Sequence, residues 1–199
     1  MKKTIKIGFS GAHATGKTTY SFMICADLKK EGYTVGKVQE IARDLPNGFK
    51  INEETDTDTQ IYLAARQVEE EIKASKMYDI VVMDRTLLDI YIYAIYAYDR
   101  GNMNGDHVTV INAMLGQWMR YYDVVFFCNI QKTNFNIDDG FRSTNVDFQT
   151  DIDRIFKSVL NKNPGIKKRV VVLDADTFEK NYETIKKIVK EKISDANPT

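Results

Sequence analysis

The sequence predicts an α/β protein, a three-layer sandwich with a five-stranded parallel sheet between helices. Three observations predict it. Short runs rich in β-branched and aromatic residues alternate with longer segments of helical period along the chain. The runs at 78–84 and 122–130 are almost wholly apolar, as expected of strands covered on both faces. Strands separated by helices pair in parallel through right-handed crossovers. At 199 residues the chain suits one domain, 1–199.

Each element follows in order. "TIKIGFS" (4–10) reads as a buried strand, and Thr18–Glu31 as a helix stopped by Gly32. "YTVGKVQE" (33–40) is a second strand. After a polar loop with Pro46 and Gly48, residues 57–75 form a helix whose Ile61, Ala64, Ala65, Val68 and Ile72 recur as one buried face. "YDIVVMD" (78–84) is the third strand. A tyrosine-dense helix from Leu87 to Arg100 and another around 107–121 lead to the fourth strand, "YDVVFFCNI" (122–130). Residues 131–147 are polar and aperiodic. A helix at 148–160, a strand at 168–175 and a helix at 178–193 complete the chain, with "KNPGIKK" (162–168) as a solvated turn.

Composition narrows the function classes. Lys plus Arg equals Asp plus Glu, 28 each, so the chain lacks the basic excess of a dedicated nucleic-acid binder. Cys25 and Cys128 have no metal-ligand spacing and read as buried thiols in a reducing compartment. No apolar run reaches the ~18 residues of a membrane span. The start "MKKTIKIGFSG" has no long apolar region of a secretory signal. The expectation is a cytoplasmic protein.

In α/β sheets ligands bind beyond the carboxyl ends of the strands, and those positions carry the unusual residues. Gly11 to Thr18, "GAHATGKT", match G-x-x-x-x-G-K-[ST] between a strand and a helix. In such a loop the glycines let backbone N–H groups turn inward on phosphate oxygens, and the helix N-terminus adds partial positive charge. Gly11, Ala12, His13, Ala14, Thr15, Gly16, Lys17, Thr18 and Thr19 therefore form a candidate triphosphate cradle. Lys17 would bridge the β- and γ-phosphates, and Thr18 would ligate Mg²⁺. His13 sits at a variable loop position and reads as a loop residue rather than a base.

The third strand ends "VVMDR". Asp84 is the candidate metal-holding carboxylate, and Arg85, facing the cleft, suits a bidentate grip on an acceptor. Asp89 is a further cleft-facing carboxylate. The second strand ends "VQEIARDL", which places Glu40 and Arg43 at the same edge. Glu40 competes with Asp84 for the role of general base. On the helix at 57–75, Gln60 and Gln67 lie seven apart on one face and could read a base edge, while Arg66 could pair with an acceptor phosphate or with Glu70. Arg142, in the glycine-containing stretch after the fourth strand, fits a lid arginine over the transferring phosphoryl group, with a lid at about 131–147. Tyr91, Tyr93, Tyr96 and Tyr98 read as packing beneath the acceptor site.

The motifs "GAHATGKTT", "QEIARDL", "VVMDRTLLD", "YDVVFFCNI" and "DDGFRS" occur in the order and spacing of a known group. The chain resembles the small P-loop kinases related to the ribosylnicotinamide kinase domain of the NAD-biosynthesis regulator, a group often described as AAA-type ATPase-like. Its "DR" after the third strand is also similar to thymidylate kinases and, more loosely, deoxynucleoside kinases. The resemblance implies a sheet order of 2-3-1-4-5, ATP as donor with Mg²⁺, and phosphotransfer to a nucleoside or nucleotide-like acceptor. By position, Glu40 and Arg43 match the family's strand-two motif, Asp84 its strand-three carboxylate and Arg142 its lid arginine. Arg85 departs from the ribosylnicotinamide kinase pattern, so the acceptor does not carry over. Two alternatives stand beside this reading. One is a kinase acting on a polynucleotide 5′-hydroxyl or a hydroxymethylated base in DNA. The other is an NTP-hydrolysing switch, against which "CNIQKTNF" lacks a base-specifying N-K-x-D-like motif. The oligomeric state is left open, a homodimer among the options.

Overall fold

The computed structural model describes residues 4–130, 143, 145–174 and 176–196. Five parallel strands form one sheet in the order β2-β3-β1-β4-β5, as the resemblance implied. They are β1 (Ile5–Ser10), β2 (Val35–Val38), β3 (Ile80–Asp84), β4 (Val124–Cys128) and β5 (Val170–Leu173). Every residue of the three inner strands, β3, β1 and β4, is buried, which explains their largely apolar sequences. The register pairs Phe9 with Asp84 and Ser10 with Phe127, so the ends of three strands meet at one edge.

Helices cover both faces. On one face lie α1 (Lys17–Lys30) and α7 (Phe178–Ala196), packed over Ile7, Phe9, Val82 and Phe126. On the other lie α2 (Thr57–Met77), α3 (Leu87–Asp99), α4 (Gly105–Trp118) and α5 (Val146–Lys162), over Val81, Met83, Val125 and Phe127. Alternate strand residues face opposite layers, and this divides one apolar run between two cores. Each large apolar side chain so buried contributes about 1.5–3 kcal/mol.

Helix starts follow local chemistry. Asp56 accepts from the Thr59 N–H ahead of α2, and Asn104 and Asn145 cap α4 and α5. Thr86 and Asp89 form a reciprocal capping box on α3. The structure differs from the sequence expectations in three places. The helix expected around 107–121 starts at Gly105 and tightens into a 3₁₀ turn at Met119–Tyr121. The turn at 162–168 contains a short helix, α6 (Pro164–Lys167), with proline in its first turn and Ile166 buried. The inward face of α2 is not the expected one: Gln60, Leu63, Ala64, Gln67, Glu71 and Ala74 are buried, whereas Ile72 is 45% exposed. Apolar spacing misleads there because the buried stripe of α2 is partly polar.

Candidate active site

The glycine loop bridges β1 and α1 with a backbone only certain residues allow. Gly11 has φ 143°, and a Cβ there would lie 2.5 Å from the Cys128 carbonyl oxygen. Gly16, at φ 85°, precedes α1 without any side-chain cap, and no acidic residue stands in the helix's first turn. That N-terminus is left for an anion. Lys17 is folded against the loop: its Nζ donates to the Ala12 carbonyl and to Thr15 Oγ1 at 3.3 Å. Burial, with the positive charge of Arg85, lowers the Lys17 ammonium to about 8. Thr18 is half-buried and Thr19 exposed at the start of α1. Ala14 adopts φ 55°.

His13 anchors the loop to α5. It is buried, its ring stacks on Phe148 at 5.2 Å, and its carbonyl accepts from Gln149 Nε2 at 2.7 Å. α5 thus holds the loop from one side. Asp89 holds it from the other, its Oδ1 accepting from the Gly11 N–H at 3.1 Å. Asp89 Oδ2 accepts from the Thr86 N–H at 2.9 Å, so one carboxylate both caps α3 and tethers the loop.

Arg85 is the centre of the neighbouring cleft. Its backbone is left-handed at φ 80°, which is costly for a bulky residue. Two bonds hold the turn: Arg85 N–H donates to the Phe9 carbonyl at 2.9 Å, and its carbonyl accepts from Gln67 Nε2 at 3.2 Å. The guanidinium Nε donates to Glu40 Oε1, Nη1 reaches Asp89 Oδ1 at 3.4 Å, and the plane lies 5.3 Å from the Tyr93 ring. Burial opposes its charge, but Glu40, Tyr93 and Asp89 outweigh burial and raise it well above its ordinary value. Burial likewise opposes the Glu40 carboxylate, yet Arg85, Lys17 and Arg43 bring its pKa down to about 2. Arg43 Nε donates to Glu40 Oε2 at 3.0 Å from the 3₁₀ turn Ile41–Asp44.

Arg85, Glu40 and Asp89 line a cleft that also takes in Gln60, Thr59, Asn52, Leu63, Ile90 and Tyr93. Its apolar walls with a few convergent polar groups are those of a small-molecule site. Gln60 Nε2 donates to Thr55 Oγ1 at 2.6 Å, while Gln60 Oε1 is buried without a hydrogen-bond partner among the described residues. Gln67 does not line this cleft; it spends its amide N–H on Glu71 and the Arg85 carbonyl. Arg66 is also elsewhere, paired with Glu69 at 2.8 Å and Glu70 at 3.3 Å on the outer face of α2. A periodic surface charge resembles a binding charge until the helix is docked.

Asp84 is buried at the end of β3. Its Oδ2 lies 3.4 Å from Lys37 Nζ, and its Oδ1 has no partner among the described residues. An orphaned buried carboxylate oxygen suits a Mg²⁺ ion held mainly by phosphates and water. No cluster of three metal-ligating side chains occurs among the described residues. Arg142 and most of the expected lid lie outside the described residues. Sequence reasoning missed Lys37, whose signal was a lone lysine inside a strand, and it missed the direct part of Tyr93 in the cleft.

A family model described as AAA domain matches residues 6–180. The chain belongs to that AAA domain family. No curated protein matches it. Among solved structures, this AAA domain is similar to a NadR protein in complex with NR, with a TM-score of 0.73 and 18% identity over 95% of the chain. It covers 51% of that protein, about half its length. A NadR protein with NAD and AMP-PNP matches at a TM-score of 0.68 and 14% identity, with 95% of this chain and 49% of that one covered. Deoxyadenosine kinase from M. mycoides, with the products dCMP and a flexible dCDP bound, matches at 0.69 and 21%, with 94% and 100% covered. These likenesses establish the P-loop kinase fold. Among the described residues no helix is long and apolar enough to cross a membrane.

Proposed function

We propose that the protein transfers the γ-phosphoryl group of ATP to a hydroxyl of a small nucleoside-like acceptor. The observation that carries this reading is the Glu40–Arg85 pair, buried at the junction of the glycine loop and the adjoining cleft. ATP would lie with its phosphates on the backbone of Gly11 to Lys17, Lys17 charged against them and Thr19 near the α-phosphate. Thr18 and Asp84 would hold Mg²⁺, which when bound neutralises charge on the β- and γ-phosphates.

Glu40 then accepts the hydrogen bond of the acceptor hydroxyl. With a pKa near 2 it stays ionised at neutral pH, and it takes the proton late, once the oxygen–phosphorus bond is forming and the bond to the β-phosphate oxygen is breaking. Arg85 fixes the carboxylate, and Asp89 fixes Arg85 relative to the loop. Gln60, with a free buried carbonyl oxygen, fits an N–H donor on a base edge.

The charge of the cleft favours a nucleoside over its monophosphate. Arg85 is the only cation lining it among the described residues, and Glu40 and Asp89 already neutralise it. An entering phosphate would find no unpaired cation among the described lining residues. The fold neighbours include a NadR protein bound to NR and a deoxyadenosine kinase, which is consistent with an acceptor of this class.

The test is ATP turnover against ribo- and deoxynucleosides, their monophosphates, nicotinamide riboside and 5′-hydroxyl oligonucleotides, with products identified by mass. Transfer to a nucleoside over a slow acceptor-free hydrolysis is expected, and Glu40→Gln should lower that transfer by ~10²-fold or more with ATP binding retained. Fast acceptor-independent hydrolysis, or transfer only to monophosphates or oligonucleotides, would overturn the proposal.

A further inference from the structure

The reading above leaves Lys37 unused, although it pairs with the candidate metal carboxylate. Lys37 stands in β2 opposite Val82, two residues short of Asp84 on the neighbouring strand, so both side chains project to the α1 face of the sheet. Their charged ends are 3.4 Å apart, with side-chain exposures of 13% for Lys37 and 4% for Asp84. The other Asp84 oxygen has no partner among the described residues. Lys37 Nζ also lies 4.0 Å from the centroid of the Phe22 ring on α1. Phe22 is 53% exposed, which makes it a poor core residue, but its face attracts an ammonium.

We propose that Lys37 is the resident counter-ion of Asp84 and competes with the divalent cation for that carboxylate, so that it sets the Mg²⁺ concentration the nucleotide complex requires. The inference rests on the assignment of Asp84 as metal holder. A carboxylate this buried needs a positive partner at all times. Without metal the lysine supplies it. When Mg²⁺ arrives, two cations cannot share the Asp84 oxygens without repulsion, and the flexible four-carbon stem lets the ammonium withdraw onto the Phe22 ring. Lys37 is therefore a positioning residue that acts through Asp84, not a group that touches the reacting atoms.

The experiment is a Mg²⁺ titration of the full chain with ATP, read by calorimetry and by thermal unfolding, in wild type, Lys37→Met, Lys37→Arg and Asp84→Asn. Lys37→Met keeps the stem and removes the charge. It should need about tenfold less Mg²⁺ for half-maximal stabilisation, melt below wild type in chelator, and keep its affinity for metal-free ATP. Lys37→Arg should keep the wild-type requirement. An unchanged or higher Mg²⁺ requirement in Lys37→Met, with the response lost in Asp84→Asn, overturns this proposal alone. A Mg²⁺ response that survives Asp84→Asn overturns the metal-holder assignment and the proposal with it.

Discussion

At the scale of single residues, burial decides what a charged group can do. Lys17 is 5% exposed, and burial together with Arg85 lowers its pKa from 10.5 to about 8. The sign of the consequence follows from proton counting. Below pH 8 the folded chain carries a buried ammonium that costs stability. Between pH 8 and 10.5 the folded chain has released this proton while the unfolded chain still holds it, so stability rises with pH. Wild type should therefore gain about 3 kcal/mol relative to Lys17→Met across that window, measured by denaturant unfolding without nucleotide. A flat difference would show that Lys17 is solvated. Arg85 makes a related point: its left-handed backbone is tolerated because Phe9, Gln67, Glu40 and Asp89 all hold it in place.

At the scale of elements, the glycine loop depends on its neighbours more than on itself. Asp89 of α3 tethers Gly11, Gln149 of α5 tethers His13, and the end of β4 presses Cys128 against Gly11. A methyl at Gly11 would meet the Cys128 carbonyl and require a backbone angle that L-residues avoid. Gly11→Ala should then lose ATP binding by at least tenfold while the fold persists, as read by calorimetry and circular dichroism. Unchanged affinity would mean that the loop binds nucleotide in another conformation. α2 shows the same dependence. Its buried stripe of Gln60, Gln67 and Glu71 serves the cleft, the Arg85 turn and the core in succession.

At the scale of the whole molecule, Glu71 joins parts that are distant in sequence. Fully buried, it accepts from Tyr122 OH at 2.8 Å, from Gln67 Nε2 at 3.0 Å and from Trp118 Nε1 at 2.8 Å, and it lies 3.6 Å from Lys6 Nζ. Tyr122 OH in turn accepts from the Leu87 N–H at the start of α3. The network ties β1, α2, α3 and the approach to β4 into one unit. Removing one member leaves the rest buried and unpaired, so Glu71→Ala should destabilise the chain by about 3–5 kcal/mol in denaturant unfolding. A cost under ~1 kcal/mol would mean that water satisfies the remaining groups.

The order of strands and helices, the glycine loop and the charged residues at strand ends were legible in the sequence because they depend on local rules. Periodicity reports which face an element buries, glycines mark backbone only they adopt freely, and a carboxylate after an apolar strand stands out. Asp84, Arg85 and Glu40 could be named this way. Of the two partners weighed for Arg66 the structure shows Glu70, and Gln67 turns to the Arg85 carbonyl instead of the cleft. Lys37, Glu71 and the anchoring of His13 could not be named. Those outcomes depend on which side chains meet across 40 to 140 residues of intervening chain, as with Lys37 and Asp84 or His13 and Gln149. Local sequence therefore determined the frame and the chemistry available at its edge. Packing alone decided which charges were paired, since a pair forms only where the fold brings two groups within a few ångströms and excludes water from between them.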